Sequence, residues 1–170
     1  MDSDKLIFED LIIENKIAFI AKVKSVATYL GVNPNFLLFL MWFETAHTLN
    51  SRIQNKTTGA TGLIQFMPAT ARFLGTTTDE LKRMPNFQQM DYVQKHLGLF
   101  KGKYKDFVDL YCGIFWPAAV GKPDSYRITS AIVAKQNPIF DIDKDNDIEK
   151  SEIRMALLKQ VPSEYYSLFT

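Results

Sequence analysis

Eight consecutive apolar residues, at positions 36–43, lead directly into Glu44. The run follows Asn33-Pro34, a pair typical of a helix N-cap and first helical residue, so it predicts a helix from Pro34 to about His47. A helix that is apolar on every side must be buried, which would make this the central helix of the fold. Because burial disfavours the ionised form of a carboxyl group, Glu44 is a candidate for a carboxyl that stays protonated near neutral pH. The alternative is an ordinary helix-end glutamate, in water or in an ion pair.

The rest of the chain also shows helical spacing, and the fold class that it predicts is all-α. Apolar residues from Leu6 to Leu30 recur at near-helical intervals, and Gly31 is a plausible helix stop. Further helices are expected over 68–75, after the capping-box sequence that starts at Thr77, over 87–97, over 105–114, over 129–135 and from about Ser151. At most a small hairpin is expected beside them. The length of 170 residues predicts a single domain over 1–170 with one core.

Composition argues against several kinds of partner. The net charge of +1 disfavours a nucleic-acid-binding surface, and Cys112, the only cysteine, cannot form an internal disulfide. No apolar stretch approaches the length of a membrane span, and residues 1–5 do not resemble the start of a signal peptide. We therefore expect a soluble monomer without a transmembrane segment. If its substrate lies outside the cytoplasm, we expect a phage or a secretion machine to deliver it, or the chain to be a fragment of a larger protein.

A polar loop at 50–66 follows the predicted central helix and carries a second functional signal. Gly59 and Gly62 permit backbone conformations that other residues avoid, and they let a ligand approach closely. The side-chain amide of Gln65 has two donors and an acceptor, which suits an acetamido or hydroxyl group. A structural turn with a surface glutamine is the simpler alternative. A protonated carboxyl beside such a loop is the arrangement that acid-catalysed cleavage of a sugar linkage requires.

Glu44-Thr45, followed at 59–71 by the sequence GATGLIQFMPATA, resembles the soluble lytic transglycosylase domain. That family pairs a glutamate–serine motif with a long GxxGLMQ…MPATA motif, and the similarity extends over residues 20–125. The resemblance implies a lysozyme-like α-helical fold, related to goose-type lysozyme, that acts on peptidoglycan in the periplasm or cell wall. It also implies that Glu44 is the catalytic acid and then the base. Thr45, Gly62 and Gln65 would contact the substrate.

The family's third motif, an Ala-Tyr-Asn-x-Gly run, is only partly present in this chain. Here the sequence is Leu110-Tyr111-Cys112-Gly113-Ile114. Tyr111 occupies the aromatic position, so the resemblance makes it a further candidate substrate contact; a tyrosine in the core is the alternative. Cys112 replaces the family's asparagine, which weakens the prediction of the contact made at that position.

The distribution of carboxylates favours one reaction route. Glycosidases usually use two carboxyl groups, but no Asp or Glu lies between Glu44 and Asp79, where goose-type lysozymes carry further aspartates. This favours a transglycosylase, in which Glu44 alone is acid and base and the substrate closes a 1,6-anhydro ring on itself. The alternatives are a hydrolytic muramidase on the same fold, a non-catalytic glycan-binding or structural part of a phage tail or secretion machine, and a calcium-responsive interaction module.

The segment 141–152 has the spacing of a single EF-hand calcium loop. Carboxylates occupy loop positions 1, 3, 5, 9 and 12, and Asn146 stands at position 6, where it can adopt the left-handed conformation that glycine usually provides. The predicted ligands of a structural Ca²⁺ are the side chains of Asp141, Asp143 and Asp145, the backbone carbonyl of Asp147 and both carboxylate oxygens of Glu152. A solvated acidic linker is the alternative.

Overall fold

A computed structural model describes residues 5–170 of the chain, which are mostly helical. The chain forms two compact units, one extending to Gly102 and the other spanning Lys103–Thr170. The prediction of an all-α fold is thus confirmed at the level of a mostly helical chain. That residues 1–170 form a single domain with a lysozyme-like fold stays a prediction.

The first unit contains five α-helices within its described residues. These are α1 (Lys16–Leu30), α2 (Pro34–Glu44), α3 (Pro68–Phe73), α4 (Thr78–Arg83) and α5 (Asn86–Gly98). Helix α1 packs against both α2 and α5. The expected capping box is confirmed at α4, where the Thr77 hydroxyl accepts from the Glu80 N–H and the Glu80 carboxylate accepts from the Thr77 N–H.

Helix α2 is the buried helix that the apolar run predicts. Asn33 caps it by accepting a hydrogen bond from the Asn35 N–H, and Pro34 is its first residue. Residues 37–42 are all buried. The predicted end at His47 is wrong, because the helix stops at Glu44 and both Ala46 and His47 then take left-handed conformations, with φ of 51° and 69°.

The prediction of a helix that starts near Leu6 is also wrong. Residues 5–15 are irregular apart from a 3₁₀ turn at Glu9–Leu11, and α1 begins only after Asn15, whose φ is 53°. The adjacent residues Leu6 and Ile7 are both buried, although neighbouring residues of a helix point in different directions. Instead, the Ile7 N–H donates to Asn35 Oδ1 at 2.8 Å, so a long-range hydrogen bond outweighs the local helical spacing.

The second unit combines four short helices with a small sheet. Its elements are α6 (Phe107–Phe115), β1 (Arg127–Ile128), α7 (Ala131–Gln136), β2 (Ile148–Glu149), α8 (Lys150–Leu158) and α9 (Tyr166–Phe169). Strands β1 and β2 are antiparallel, with Arg127 opposite Glu149 and Ile128 opposite Ile148. The sheet and α9 were not predicted, because two-residue strands and a four-residue helix are too short to show a periodic pattern.

A buried ion pair joins α6 to α8. The Lys150 ammonium donates to Asp109 Oδ1, and both side chains are almost fully excluded from solvent. The same ammonium donates to the carbonyl oxygen of Lys122 at 2.7 Å, while the Asp109 carboxylate accepts from the N–H groups of Lys105 and Gly121. Because each buried charge has several partners, the pair can hold the start of α8 in place.

The expected hairpin is present in the loop 50–66 as two isolated backbone bridges. Gln54 pairs with Thr61, and Thr61 pairs with Phe66. Among the described residues no single helix is long and apolar enough to cross a membrane; α1 and α2 pass such a test only when taken together, and they are bent by 115° at their junction.

Candidate functional site

Glu44 is the last residue of α2 and lies where the buried helix meets the turn 45–49. Its side chain is partly buried, and the preceding turn of the helix contributes Leu40 and Met41, which have no exposed surface. The end of the helix therefore places a carboxyl group at the edge of the core. This position fits a catalytic acid that is shielded on one side and accessible on the other.

Thr45 has a structural role at the end of this helix. It is fully buried, and its hydroxyl donates to the carbonyl oxygen of Met41 at 2.7 Å and accepts from the Leu49 N–H at 2.8 Å. The Met41 carbonyl also accepts from the Thr45 N–H, so the hydroxyl adds a second hydrogen bond to it and links the last helical turn to the backbone of Leu49. The substrate contact predicted for Thr45 stays a prediction, and the buried hydroxyl favours a positioning role.

Aromatic stacking fixes the turn that follows Glu44. The Trp42 ring lies between Phe8, with ring centroids 4.1 Å apart, and His47, with centroids 4.0 Å apart. Both pairs are close to parallel. Since His47 needs a left-handed backbone to reach this position, the stack offsets the conformational cost of the turn.

Gly62 and Gln65 lie together in the glycine loop, which we define as residues 53–66. The Gly62 N–H donates to the Ile53 carbonyl at 2.9 Å, and the Gly62 carbonyl accepts from both the backbone N–H and the side-chain Nε2 of Gln65. Both residues are left-handed, with φ of 84° and 51°. The side chain of Gln65 is partly exposed, so a ligand can reach it, although its predicted contact with substrate remains untested.

A residue that sequence reasoning missed, Gln89 of α5, holds the glycine loop. Its side chain has no exposed surface; its Nε2 donates to the carbonyl oxygens of Ser51 and Leu81 at 2.6 Å each, and its Oε1 accepts from the Leu63 N–H at 3.1 Å. A Cβ on Gly62 would lie 2.5 Å from this Oε1, so only glycine fits there.

The signal for Gln89 was present in the sequence of α5. The buried residues of that helix recur at helical spacing, and a glutamine falls among them: Asn86, Gln89, Met90, Val93 and Leu97. A polar residue on the apolar face of a helix needs hydrogen-bond partners in the core. The sequence could have indicated a buried amide, but not which backbone groups it binds.

Tyr111 lies in the second unit, on α6. It is 3% exposed, and its ring contacts Phe115 at a centroid distance of 5.8 Å and Phe140 at 5.6 Å. This environment favours the alternative of a core tyrosine. That Tyr111 contacts the substrate stays a prediction. The neighbouring Cys112 is also buried, and burial raises the pKa of its thiol to about 12, so it is not a reactive thiolate.

The second candidate site is the acidic loop, which we define as residues 141–152. The carboxylates of Asp141, Asp143 and Asp145 each offer a ligand oxygen, and these oxygens lie within 4.8 Å of one another. Three carboxylates this close together repel one another unless a cation lies between them. The structure therefore brings together three of the predicted ligands as a cluster that could hold a metal ion.

Hydrogen bonds between side chains and backbone shape the acidic loop. Asp143 Oδ1 accepts from the Asp145 N–H at 3.1 Å, and Asp145 Oδ1 accepts from the Asp147 N–H at 3.0 Å. These hydrogen bonds turn the chain around the cluster. Asn146 has a φ of 70°, which confirms the left-handed conformation expected at this position.

Two carboxylate oxygens of the loop lack hydrogen-bond partners among residues 5–170, one of them on Asp141 of the cluster. Asp141 Oδ1 and Asp147 Oδ1 are buried atoms with no hydrogen-bond partner in the described part of the chain. Removal from water and the neighbouring Asp145 raise the pKa of Asp147, whereas hydrogen bonds from Asp147 lower that of Asp145. Buried oxygens without partners are unfavourable in the absence of a ligand, so the donor set suits a hard divalent cation.

Glu152 is held in a different role from the one predicted. Its Oε1 accepts from the N–H groups of Ile142 and Asp143, and its Oε2 accepts from the Glu149 N–H, so it caps α8 and ties the two ends of the loop together. It is not part of the aspartate cluster. Metal binding through both oxygens stays a prediction, and it would replace these three hydrogen bonds.

Arg127 was also missed by sequence reasoning. It forms ion pairs with Asp145 at 3.4 Å, Asp147 at 3.0 Å and Glu149 at 2.8 Å. Strand pairing places it there, because Arg127 lies directly opposite Glu149. Its guanidinium partly neutralises Asp145, which belongs to the aspartate cluster, together with Asp147 and Glu149, whereas its ion pairs do not include Asp141 or Asp143.

In comparisons with protein-family models, curated proteins and solved structures, nothing significantly matches this chain. The functional assignment therefore depends on the residues and their geometry.

Proposed function

We propose that this protein is a peptidoglycan lytic transglycosylase that cleaves the β-1,4 bond between N-acetylmuramic acid and N-acetylglucosamine, with Glu44 as its acid and base. The observation that carries the proposal is the position of Glu44. A carboxyl group at the end of a buried helix is followed, through a stacked turn, by a glycine loop that a buried amide holds in place. The proposal includes a lysozyme-like fold and action in the periplasm or cell wall after delivery by another route.

In the proposed reaction, the protonated Glu44 carboxyl donates its proton to the glycosidic oxygen as the bond to the muramyl C1 breaks. The N-acetyl oxygen of the substrate stabilises the positive charge that develops at C1. The Glu44 carboxylate then removes the proton from the muramyl 6-hydroxyl, whose oxygen bonds to C1 and closes the 1,6-anhydro ring. Glu44 ends the cycle protonated, and no water is consumed.

The glycine loop supplies the substrate-binding surface in this proposal. Gln65 offers its partly exposed amide to an acetamido or hydroxyl group. Gly62 is buried and makes room for Gln89, so it shapes the turn that positions Gln65, and its predicted contact with the substrate stays a prediction. Thr45 and Gln89 act as positioning residues because Thr45 binds the Leu49 N–H before the loop, and Gln89 binds both the Ser51 carbonyl before the loop and the Leu63 N–H within it. A preorganised loop of this kind reduces the ordering cost of substrate binding.

The test is the digestion of purified cell walls by the wild type and by Glu44→Gln, with products analysed by mass spectrometry. We expect 1,6-anhydro ends from the wild type and a loss of activity of about a hundredfold or more in the variant, since general acid–base catalysis contributes at least that much. Glu164→Gln, which changes an exposed glutamate of the second unit, is the matched control and should retain activity.

Other outcomes would assign a different function. Reducing ends that carry one additional water would identify a hydrolytic muramidase, and equal turnover by Glu44→Gln would exclude Glu44 as the acid. The burial of Tyr111 favours a second candidate, a non-catalytic glycan-binding or structural part of a phage tail or secretion machine. Binding of glycan strands without any turnover by the wild type would support that candidate.

We also propose that the acidic loop binds a structural Ca²⁺. Asp141, Asp143 and Asp145 would hold the ion through their side chains, Asp147 through its backbone carbonyl, and Glu152 after rotation of its carboxylate. The ion would supply a positive charge at the centre of the cluster and cross-link the two ends of the loop. It would take no part in the cleavage reaction.

A further inference from the structure

A cavity of about 320 Å³ lies in the first unit, between the irregular N-terminal segment and the residues that follow Glu44. Its walls include Leu11, Ile13 and Glu14 from the first segment, and Leu49 and Arg52 from the second. Nothing in the proposed cleavage reaction uses this cavity. Its volume suits part of a small ligand rather than a whole sugar chain.

Two opposite charges meet at this cavity. Arg52 Nη1 donates to both carboxylate oxygens of Glu14 at 2.7 Å, and the two side chains are 46% and 49% exposed. An ion pair this exposed contributes little to stability, so a ligand can separate the two groups at small cost. A ligand with only one charge would be attracted to one of them and repelled by the other. A zwitterionic group, which carries both charges, matches the pair.

The same cavity has an apolar side that is open to solvent. Ile13 is 93% exposed and Leu11 is 42% exposed, whereas Leu49, which also lines the cavity, is buried. Apolar side chains at the edge of a cavity favour a ligand with a short hydrocarbon segment, because its binding removes apolar surface from water. The cavity thus combines a hydrocarbon-binding side with a pair of charges.

We propose that this cavity binds the free amino-acid end of a diamino acid in the peptide stem of peptidoglycan. The carboxylate of that end pairs with Arg52, its ammonium pairs with Glu14, and its methylene chain lies along Leu11 and Ile13. This proposal rests on the proposed function, since it assigns the stem of the same substrate to the same unit of the protein.

The position of the cavity supports a role beside the glycan site. Thr48 and Ser51 also line it, and they belong to the segment that connects Glu44 to the glycine loop. The Ser51 carbonyl accepts from Gln89, the residue that holds that loop. A stem bound in the cavity would therefore contact the connection between the proposed acid and the proposed sugar-binding loop.

The first experiment measures binding without catalysis. The full chain is titrated with meso-diaminopimelic acid and followed by backbone NMR, with pimelic acid, which has the same carbon chain and no amino groups, as the control ligand. We expect shifts at Ile13 and Arg52 with the diamino acid alone. Affinity should fall by about threefold or more in Arg52→Gln and in Glu14→Gln, since each loses one exposed charge pair. Lys24→Gln, which changes an exposed lysine of α1 outside the cavity, should bind like the wild type.

The second experiment compares rates on glycan strands with intact stems and on strands stripped of their stems. The ratio of the rate on intact strands to the rate on stripped strands should fall in both cavity variants and not in Lys24→Gln. If the protein binds diaminopimelic acid but digests no cell wall, the result would support the cavity proposal and contradict the proposed function. Digestion of cell walls without any shift at Ile13 or Arg52, or an equal response to pimelic acid, would overturn the cavity proposal alone.

Discussion

The glycine loop 53–66 and the acidic loop 141–152 are both irregular segments with left-handed residues, but different forces hold them. A neutral buried amide, Gln89, binds the Leu63 N–H within the first loop, the Ser51 carbonyl just before it and the Leu81 carbonyl of α4. The second loop is held by charges and keeps two buried carboxylate oxygens without partners. The difference indicates that the glycine loop has its polar groups paired as folded, whereas the acidic loop keeps carboxylate oxygens that could hold a metal ion.

The largest expected effect on stability comes from removal of the Gln89 side-chain amide. Gln89→Leu would leave the Ser51 carbonyl and the Leu63 N–H without the partner that Gln89 supplies, and the Leu81 carbonyl would keep only its hydrogen bond from the Met84 N–H, so the free energy of unfolding should fall by about 3 kcal/mol. Urea denaturation measures this loss, and the exposed neighbour Gln88→Leu is the control. If both variants unfold at the same urea concentration, the glycine loop does not depend on the amide.

Calcium should have the next largest effect, and only on the acidic loop. At a Ca²⁺ concentration of about one hundred times Kd, binding adds about 2.7 kcal/mol to the stability of the wild type. Thermal denaturation with Ca²⁺ and with a chelator measures the gain, which Asp143→Asn should largely remove and Asp79→Asn, in the first unit, should not. Hydrogen exchange at the Gly62 N–H should stay the same in both conditions. A melting temperature that does not respond to Ca²⁺ would show that the cluster binds no such ion.

Substitution of two glycines that have the same φ distinguishes the cost of overpacking from the cost of backbone strain. Gly62 and Gly75 both have a φ of 84°, but a Cβ on Gly62 would lie 2.5 Å from Gln89 whereas one on Gly75 would have nothing within 4 Å. We expect Gly75→Ala to cost about 1 kcal/mol through strain alone and Gly62→Ala to cost at least about 2 kcal/mol, because overpacking adds to strain. Equal losses in urea denaturation would show that the loop moves away from the amide without cost.

The smallest expected effect is electrostatic. Arg127→Gln removes three exposed ion pairs with the acidic loop, so the protein without calcium should lose about 0.5 kcal/mol of stability. Its affinity for Ca²⁺ should rise, because a positive charge next to the site has been removed. Calorimetric titration at low salt, with Lys135→Gln as the control, tests the sign. An unchanged or weaker affinity would mean that Arg127 preorganises the loop instead of competing with the ion.

The helices were largely predictable because their signals are local. The cap at Asn33, the capping box at Thr77 and the stop at Gly31 each depend on residues within one turn of the chain. The wrong predictions involve contacts that helical spacing does not show. The Ile7 N–H binds Asn35, in a segment that is not helical. Helix α2 ends at Glu44, before its predicted end, and His47 then stacks on Trp42.

The candidate sites show the same division. The order of residues by itself determined that Glu44 ends an apolar helix and that aspartates alternate over 141–145, because both features follow from spacing along the chain. Tertiary structure decided that Thr45 and Tyr111 are buried, that Gln89 holds the glycine loop and that Arg127 faces the acidic loop. These outcomes depend on hydrogen bonds and ion pairs between segments that are distant in sequence, and such contacts exist only once helices and strands have packed.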